Sequence, residues 1–177
     1  DAAWLTAQFK EANRLFAQIG VCFEVADHSP QPAGDWHMKT RKQRTALGRR
    51  AGALKRGLID LFIVGRLEDV DQPGSFIRGV HWRDPKARKK KRWIILSRIA
   101  KQVVFAHELG HYFSLPHSEF SHSIMNKTPR ETPPMSDRGF VKSEIAKMKR
   151  ARQKMFKTGH LIKLRETHAQ PPSVKER

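Results

Sequence analysis

The amino-acid sequence predicts an α+β fold, in which short strands form a sheet and helices occupy the N-terminal, central and C-terminal parts of the chain. Apolar residues recur at three- and four-residue intervals over residues 3–19 and 137–157, as in amphipathic helices. Between these segments, short apolar runs at 58–64, 76–82 and 93–96 alternate with polar loops, which is typical of strands. We therefore expect helices packed against a small sheet.

The N-terminal part of the chain is predicted to be a helix followed by a strand. The helix over 3–19 has one apolar face, and Gly20 is a residue type that commonly terminates helices. Residues 21–25 alternate between apolar and polar side chains and predict a strand, on which Cys22 would be a buried small hydrophobic residue. Residues 27–36 contain Pro and Gly and predict a loop. Since Cys22 is the single cysteine, an internal disulfide is excluded.

A basic segment comes next, followed by the most apolar run of the chain. Residues 37–56 carry eight Lys or Arg and no acid. This pattern fits either a helix or a flexible insertion, because glycines weaken a long helix there. Residues 58–64 are the most apolar run, so we expect a strand at the centre of the sheet. The acidic loop at 68–75 contains Asp69 and Asp71, which would either bind a cation or be solvated.

The second half of the predicted sheet leads into the central helix. Residues 76–82 and 93–96 predict strands separated by a basic, exposed turn, and the central helix should begin near Ile99. We place a single domain at residues 1–165, which is long enough for a sizeable core. Residues 166–177 contain two prolines and few apolar side chains, so we expect this tail to be disordered.

The charge balance is strongly basic, with 35 Lys and Arg against 17 Asp and Glu and a formal net charge of +18. Such a chain is suited to an anionic partner, which would be a nucleic acid, an anionic polymer or a membrane surface. No apolar run approaches the length that crosses a bilayer. The first residues do not resemble a signal peptide, and because the chain does not begin with Met we expect a mature form or an excised domain. The sequence contains no phosphate-binding loop, dinucleotide-binding loop, Cys-x-x-Cys pair or nucleophile elbow.

One stretch carries a chemical signature, His107-Glu108-Leu109-Gly110-His111. On a helix, residues four positions apart lie one turn apart on the same face, so His107 and His111 can direct imidazole nitrogens at one point. Zinc binds imidazole well, and a catalytic zinc keeps three protein ligands and one open position. Glu108 lies beside the first His and can act as the base that deprotonates a water at that point. This spacing on a helix is a metalloprotease signature.

Two histidines leave such a site one ligand short, and His117 is the natural third ligand. It follows His107 by ten residues, so it cannot lie on the same face of a continuous helix. Pro116 has no N–H and disfavours the helical conformation of the residue before it, so we expect the helix to stop and the chain to turn back. Eight residues after His117, Met125 lies in a short polar and apolar turn.

These residues together resemble the metzincin clan of zinc endopeptidases, and in particular its matrixin branch. The resemblance covers the stretch from His107 to Met125. It implies that His107, His111 and His117 are the zinc ligands, that Glu108 is the general base and that Met125 lies beneath the zinc. It also implies a metzincin-like α+β domain, with a mixed twisted sheet, an N-terminal helix, a zinc-site helix and a C-terminal helix.

The resemblance marks further positions beyond the ligands. The edge strand of the sheet, here 76–82, would line the cleft and pair with extended substrate. The metzincin pattern has Gly where this chain has Ser114, at a turn that usually has positive φ, which costs a residue with a Cβ about 1 kcal/mol. Lys127 stands where some branches place a tyrosyl ligand. The resemblance also implies that Thr128, Pro129 and Arg130 form the wall of a substrate pocket beside the zinc. Arg130 or Lys127 would either make that pocket favour acidic side chains or point to solvent.

The function predicted from these residues is that of a zinc-dependent endopeptidase, which the resemblance implies to be secreted or periplasmic. An alternative is a basic polyanion-binding protein, for a nucleic acid or an anionic surface, in which zinc is only structural. A third hypothesis is a gluzincin, in which Glu144 replaces His117 as the third ligand. Cys22 has an alternative role as well, because metzincin precursors are sometimes kept inactive by a cysteine thiolate on the zinc.

Overall fold

The overall architecture of the part of the chain that the structure describes combines four α-helices with two small sheets, which confirms the predicted α+β class at this coarse level. It is given by a computed structural model that describes residues 2–28, 36–49, 57–84, 86–87, 91–128 and 132–164. The predicted disordered tail, 166–177, lies outside the described residues. No helix among the described residues is both long enough and apolar enough to span a membrane.

The N-terminal helix is confirmed, but the strand predicted after it is wrong. Helix α1, Ala2–Phe16, continues into a 3₁₀ turn, Ala17–Ile19, and Gly20 ends it with a φ of 66°. Residues 21–25 pair with no strand of the described chain, because the Asn13 side chain binds both backbone groups of Phe23. The Asn13 amide donates to the Phe23 carbonyl at 3.0 Å, and its oxygen accepts the Phe23 N–H at 2.7 Å. Since these groups are satisfied without a ladder, the segment forms no strand. Cys22 is exposed there, so its predicted burial is also wrong.

The larger sheet has three strands in the order β2–β5–β4, with β2 at Leu61–Val64, β4 at Gly79–Arg83 and β5 at Arg92–Ser97. Strand β5 pairs in parallel with β2 and antiparallel with β4, so the sheet is mixed. The prediction that the 58–64 run is central is therefore wrong for the described sheet. β5 is central because side chains cover both of its faces, and Trp93 to Leu96 are fully buried. Ile63 of β2, by contrast, is 39% exposed.

A second sheet lies beside the basic segment. Strand β1, His37–Met38, pairs in parallel with β3, Arg66–Leu67. Helix α2, Arg41–Leu47, begins with a capping box, in which the Thr40 hydroxyl accepts the Gln43 N–H and the Gln43 side chain accepts the Thr40 N–H. Part of the basic 37–56 segment is thus helical, and its residues 50–56 lie outside the described chain.

The central helix, α3, spans Val104–Tyr112, so it begins later than the predicted start at Ile99. The reason is a set of contacts with α1. The Gln8 side chain, which is fully buried, donates to the carbonyls of Ala100 and Lys101, and its oxygen accepts the Phe105 N–H at 3.1 Å. Because these carbonyls accept hydrogen bonds from a side chain of α1, residues 99–103 do not form part of the helix. The long-range capping by Gln8 also anchors the beginning of α3.

The C-terminal helix, α4, spans Lys142–Lys157 and follows a 3₁₀ turn at Met135–Asp137. It therefore begins five residues after the predicted start at 137. Met148 and Met155 are buried in the core that α1 and α3 share. The Arg152 guanidinium donates to the Ile19 carbonyl at the end of the 3₁₀ turn after α1. The first and last helices are thereby joined next to the helix that carries the histidines.

Candidate metal centre

The two histidines of α3 are held by backbone carbonyls from outside that helix. Nδ1 of His107 lies 2.7 Å from the Ile124 carbonyl, and Nδ1 of His111 lies 2.8 Å from the Leu115 carbonyl. A carbonyl can only accept, so each Nδ1 carries the ring proton and each Nε2 is left with a free lone pair. Hydrogen bonds of this kind fix the tautomer and the orientation of metal-ligating imidazoles.

The free nitrogens face one another without a proton between them. Nε2 of His107 and Nε2 of His111 are 3.1 Å apart. Two bare acceptors at this distance repel unless a cation binds between them. Two nitrogens on one tetrahedral zinc, each bound at about 2.0–2.1 Å, would be roughly 3.3 Å apart. The spacing therefore fits a shared metal ion.

His117 completes the group, as predicted. One ring nitrogen from each of His107, His111 and His117 lies within 4.8 Å of the others. The His117 ring centroid is 4.8 Å from that of His111 and 5.6 Å from that of His107. His117 itself is exposed, so the group opens towards solvent on its side. Among the described residues, this is the one cluster of three or more His, Cys, Asp or Glu that could hold a metal ion.

The end of α3 explains how the third histidine returns to the first two. The Leu115 N–H donates to the Gly110 carbonyl at 2.9 Å, and the Ser114 N–H donates to the His111 carbonyl at 3.0 Å. These two bonds form a Schellman motif, which requires a left-handed residue between the last helical turn and the outgoing chain. Ser114 is that residue, with a φ of 74°, and it is the one described non-glycine residue with positive φ. The predicted break and reversal are thus confirmed.

Met125 is fully buried beneath the ligand helix. A Cβ placed on Gly110 would lie 2.5 Å from the Met125 sulfur, so the Met fits because residue 110 has no side chain. The Ser123 hydroxyl accepts the Met125 N–H at 3.0 Å and donates to both carboxylate oxygens of Glu144 at 2.9 Å. The turn that contains Met125 is in this way fastened to α4.

The role of Glu144 excludes the gluzincin hypothesis for the described chain. Its carboxylate is buried, accepts the Ser123 hydroxyl and also accepts the Val141 N–H at 2.9 Å. It is not a member of the histidine cluster. Glu144 therefore begins α4 and supports the Met125 turn, and the third nitrogen of the site belongs to His117.

Glu108 is 6% exposed and lies between α3 and the edge strand β4. A Cβ on Gly79 of β4 would lie 3.0 Å from Cγ of Glu108, so this glycine allows the strand to approach the carboxylate closely. Burial raises the pKa of Glu108 to about 8, although the backbone N–H of His81 donates to the carboxylate and partly opposes that shift. A carboxyl group with such a pKa can hold a proton near neutral pH.

The three histidines are kept neutral by their surroundings. Burial lowers the pKa of His107 to about 4, against the opposing effect of its bond to the Ile124 carbonyl. Burial also lowers the pKa of His111. His117 is exposed as a residue, but partial burial of its ring lowers its pKa too, and the positive charge of Lys127 adds to that effect. A metal ion binds the neutral form of imidazole, so no proton has to be displaced at neutral pH.

Strand β4 presents unpaired backbone groups beside this site. The Ser97 N–H donates to the Arg78 carbonyl, and bonding positions alternate along an antiparallel pair. The backbone groups of Gly79, His81 and Arg83 therefore point away from β5, towards the edge where the described sheet has no further strand. The His81 N–H is taken by Glu108, and no backbone group of the described chain bonds to the outward groups of Gly79 and Arg83. The prediction of an edge strand at 76–82 agrees with this arrangement.

A pocket of about 450 Å³ adjoins the third histidine. Its wall is formed by His117, Ser118, Glu119, Asn126, Lys127 and Thr128. Thr128, a predicted wall residue, thus lines a pocket, and so does Lys127, which was expected to influence side-chain preference there. The other two predicted wall residues, Pro129 and Arg130, lie outside the described residues.

Some residues of the centre were missed by sequence reasoning. Ser123 links the Met125 turn to Glu144, and Gly79 gives Glu108 its space. A glycine inside a strand pattern was an available signal for a close approach, whereas nothing local distinguishes Ser123. The loop carboxylates considered as a cation site have other partners, since Asp71 pairs with Arg41 and Asp69 accepts the Asp71 N–H.

Comparisons with protein-family models, with curated proteins and with solved structures gave no significant match. The metal-binding group therefore stands on its own geometry, and the finer assignment to a metzincin is a proposal.

Proposed function

We propose that this protein is a zinc-dependent endopeptidase of metzincin type. The observation that carries the proposal is the convergence of three neutral imidazoles, with a buried carboxylate one residue away, beside an open strand edge. His107, His111 and His117 would hold the metal. When bound, zinc polarises a carbonyl and lowers the pKa of water, which promotes hydrolysis of an amide.

Glu108 is the proton carrier in this proposal. Its carboxylate would take a proton from the attacking water and return it to the leaving amine. Burial raises its pKa and makes it a stronger base than an exposed carboxylate. Its pKa would fall again beside a bound dication, towards a value suited to exchanging protons at neutral pH. The His81 N–H holds the carboxylate in place.

Strand β4 and the pocket beside His117 would position the substrate. An extended peptide can add to the open edge through the outward backbone groups of Gly79 and Arg83. A substrate side chain that reaches past His117 would enter the pocket that Lys127 lines. Lys127 would favour an acidic side chain there, although Glu119 in the same wall opposes this preference. Export to the periplasm or the cell exterior is part of the same proposal.

A purely structural metal is the competing explanation, and the ligand count argues against it. Structural zinc sites are almost always closed by four protein ligands, whereas catalytic sites keep one position open. The described cluster offers three ligands, and its third member is exposed. An open, three-histidine site with a buried carboxylate at its side is the arrangement expected of a hydrolase.

The proposal is tested by cleavage of casein, an unstructured substrate, by the chain, by its Glu108→Gln variant and by the chain with a zinc chelator. We expect cleavage by the chain alone, and a loss of at least about 100-fold in the variant, because general-base catalysis contributes about 10²–10⁴-fold. The variant should bind as much zinc as the parent, which distinguishes lost catalysis from lost metal. Equal cleavage by the parent and Glu108→Gln would contradict the proposal.

A further inference from the structure

The exposed face of α4 is a concentrated basic surface. This helix contains seven Lys or Arg, and its single acid, Glu144, is buried against Ser123 and Val141. Arg152 is engaged with the Ile19 carbonyl. The other six cations are exposed, and they are Lys142, Lys147, Lys149, Arg150, Lys154 and Lys157. We call these six residues the α4 basic face.

The α4 basic face lies opposite the side of the helix that is packed in the core. At about 100° per residue, the six positions fall within an arc of roughly 160°. Met148 and Met155, which are buried, fall outside that arc on the far side. From Lys142 to Lys157 the face is about 22 Å long, at roughly 1.5 Å per residue. It is therefore a convex, continuous stripe of positive charge.

Stability of the fold does not account for this charge. None of the six cations forms an ion pair with a described residue, and the ion pairs of the described chain lie elsewhere. Like charges three and four positions apart repel one another and destabilise a helix. The helix is held by its opposite face and by the Arg152 contact. An anionic ligand would relieve the repulsion that the fold leaves uncompensated.

The shape of the face indicates which polyanion it fits. A flat membrane surface touches only a narrow strip of a cylinder, and the described part of α4 exposes no large apolar side chain to insert. The major groove of B-form DNA is about 12 Å wide, admits an α-helix and has phosphates along both walls. Six cations spread over a wide arc can then reach phosphates on both sides.

We propose that the α4 basic face binds double-stranded DNA without sequence preference, with α4 in the major groove and its Lys and Arg on the phosphates. Contacts of this kind supply affinity and position but carry no sequence information. The inference is independent of the metal centre and of the proposed peptidase activity. It gives the protein a second function, attachment to DNA.

The test measures binding of the full chain to a 20-base-pair duplex by fluorescence anisotropy, over salt concentrations of about 50–200 mM. Six phosphate contacts predict a slope of log K against log salt of about −5, since each contact contributes about −0.9. Replacing Lys149, Arg150, Lys154 and Lys157 by Gln should reduce the slope to about −2 and weaken binding at least about 100-fold at the lowest salt.

A matched control removes four exposed cations that lie outside α4, by Lys10→Gln, Lys39→Gln, Lys42→Gln and Lys101→Gln. Both quadruple variants lower the net charge equally, so an effect of net charge alone would weaken DNA binding equally in each. The proposal requires that the control keep the parent's slope. It also requires that a charge-conserving variant, with Lys149→Arg, Arg150→Lys, Lys154→Arg and Lys157→Arg, bind like the parent.

Three results would overturn the proposal. The first is an equal loss of DNA affinity in the control and α4 variants, which would mean that the overall positive charge, and not the α4 basic face, attracts the DNA. The second is weak binding to duplex DNA together with strong, α4-dependent binding to phosphatidylserine vesicles, which would assign the face to a membrane surface. The third is an unchanged slope in the α4 variant. If circular dichroism shows that the quadruple variant unfolds, the double variant Lys149→Gln and Lys157→Gln replaces it, with an expected slope change of about 2.

Discussion

At the scale of single residues, His117 is the histidine that completes the candidate metal centre. Helix α3 can supply two ligands, and the third has to come from the chain that follows it. Two exposed histidines are available there, His117 and His122. The structure brings His117 into the cluster, whereas the His122 ring stacks near Phe120, with ring centroids 6.0 Å apart. Substitution of His117 therefore tests the site, and the same substitution of His122 is its matched control.

We predict that His117→Ala lowers zinc affinity by more than about 100-fold, since changes even in residues that support ligands cost 10–100-fold. His122→Ala should leave the affinity unchanged, because His122 is not part of the cluster. Competition with a chromogenic chelator measures both. Unchanged zinc affinity in His117→Ala would contradict a three-histidine site. An equal loss of zinc affinity in both variants would indicate a general effect on the loop.

At the scale of elements, the boundary between α3 and the returning chain decides whether the site exists. The Schellman motif ends the helix at Tyr112 and reverses the chain within three residues. Leu115, at the far side of the motif, is buried, and its carbonyl accepts the proton on Nδ1 of His111. The same turn thus stops the helix, orients one ligand and delivers another. Its cost is the left-handed backbone of Ser114.

We predict that Ser114→Gly raises the free energy of unfolding by about 1 kcal/mol, because glycine adopts positive φ without the steric cost that a Cβ incurs. Ser114→Ala is the matched control and should change it little, since alanine keeps the Cβ. Urea unfolding of the two variants and the parent gives the comparison. A gain in Ser114→Ala equal to that in Ser114→Gly would show that the serine hydroxyl, and not the backbone, is the source of strain.

At the scale of the whole molecule, burial of the site couples stability to pH. The pKa of His107 is lowered to about 4 and that of His81 to about 3, mainly by burial. The unfolded chain therefore binds more protons than the folded chain as pH falls below about 6.5. Glu108 changes the stability with pH in the opposite direction, because its pKa of about 8 in the folded chain exceeds its ordinary value. Its contribution is lost as pH rises towards 8.

We predict that the metal-free protein is most stable near pH 6.5. Between about pH 4.5 and 6.5 the histidines with lowered pKa values, which include His111 and His117 as well as His107 and His81, outweigh the single carboxyl, so stability should rise by at least about 1 kcal/mol per pH unit. Above pH 6.5 Glu108 is the group among these that changes its protonation, so stability should decline. Urea unfolding in the presence of a chelator, at pH 5 to 8, measures the curve. Glu108→Gln should abolish the decline above pH 6.5, and a parent curve that rises through pH 8 would contradict the assignment.

Much of the fold and of the centre was predictable because the signals are local. The helix at 3–19, the ligand spacing of His107 and His111, and the break before His117 follow from helical geometry and from the properties of proline. The wrong predictions concern segments whose structure depends on residues far away in the chain. Residues 21–25 alternate like a strand, but Asn13 binds their backbone. The 58–64 run is very apolar, but it lies at the edge of the described sheet.

The sequence by itself determined the chemistry of the site, since the residue types and their spacing along one helix place two imidazoles on one face with a carboxylate beside them. Only the tertiary structure decided how these groups are tuned. The carbonyls of Ile124 and Leu115 select the tautomers, and the approach of Gly79 buries Glu108. The reason is physical: spacing on a helix depends on local geometry, whereas burial and hydrogen-bond partners depend on residues far apart in the chain.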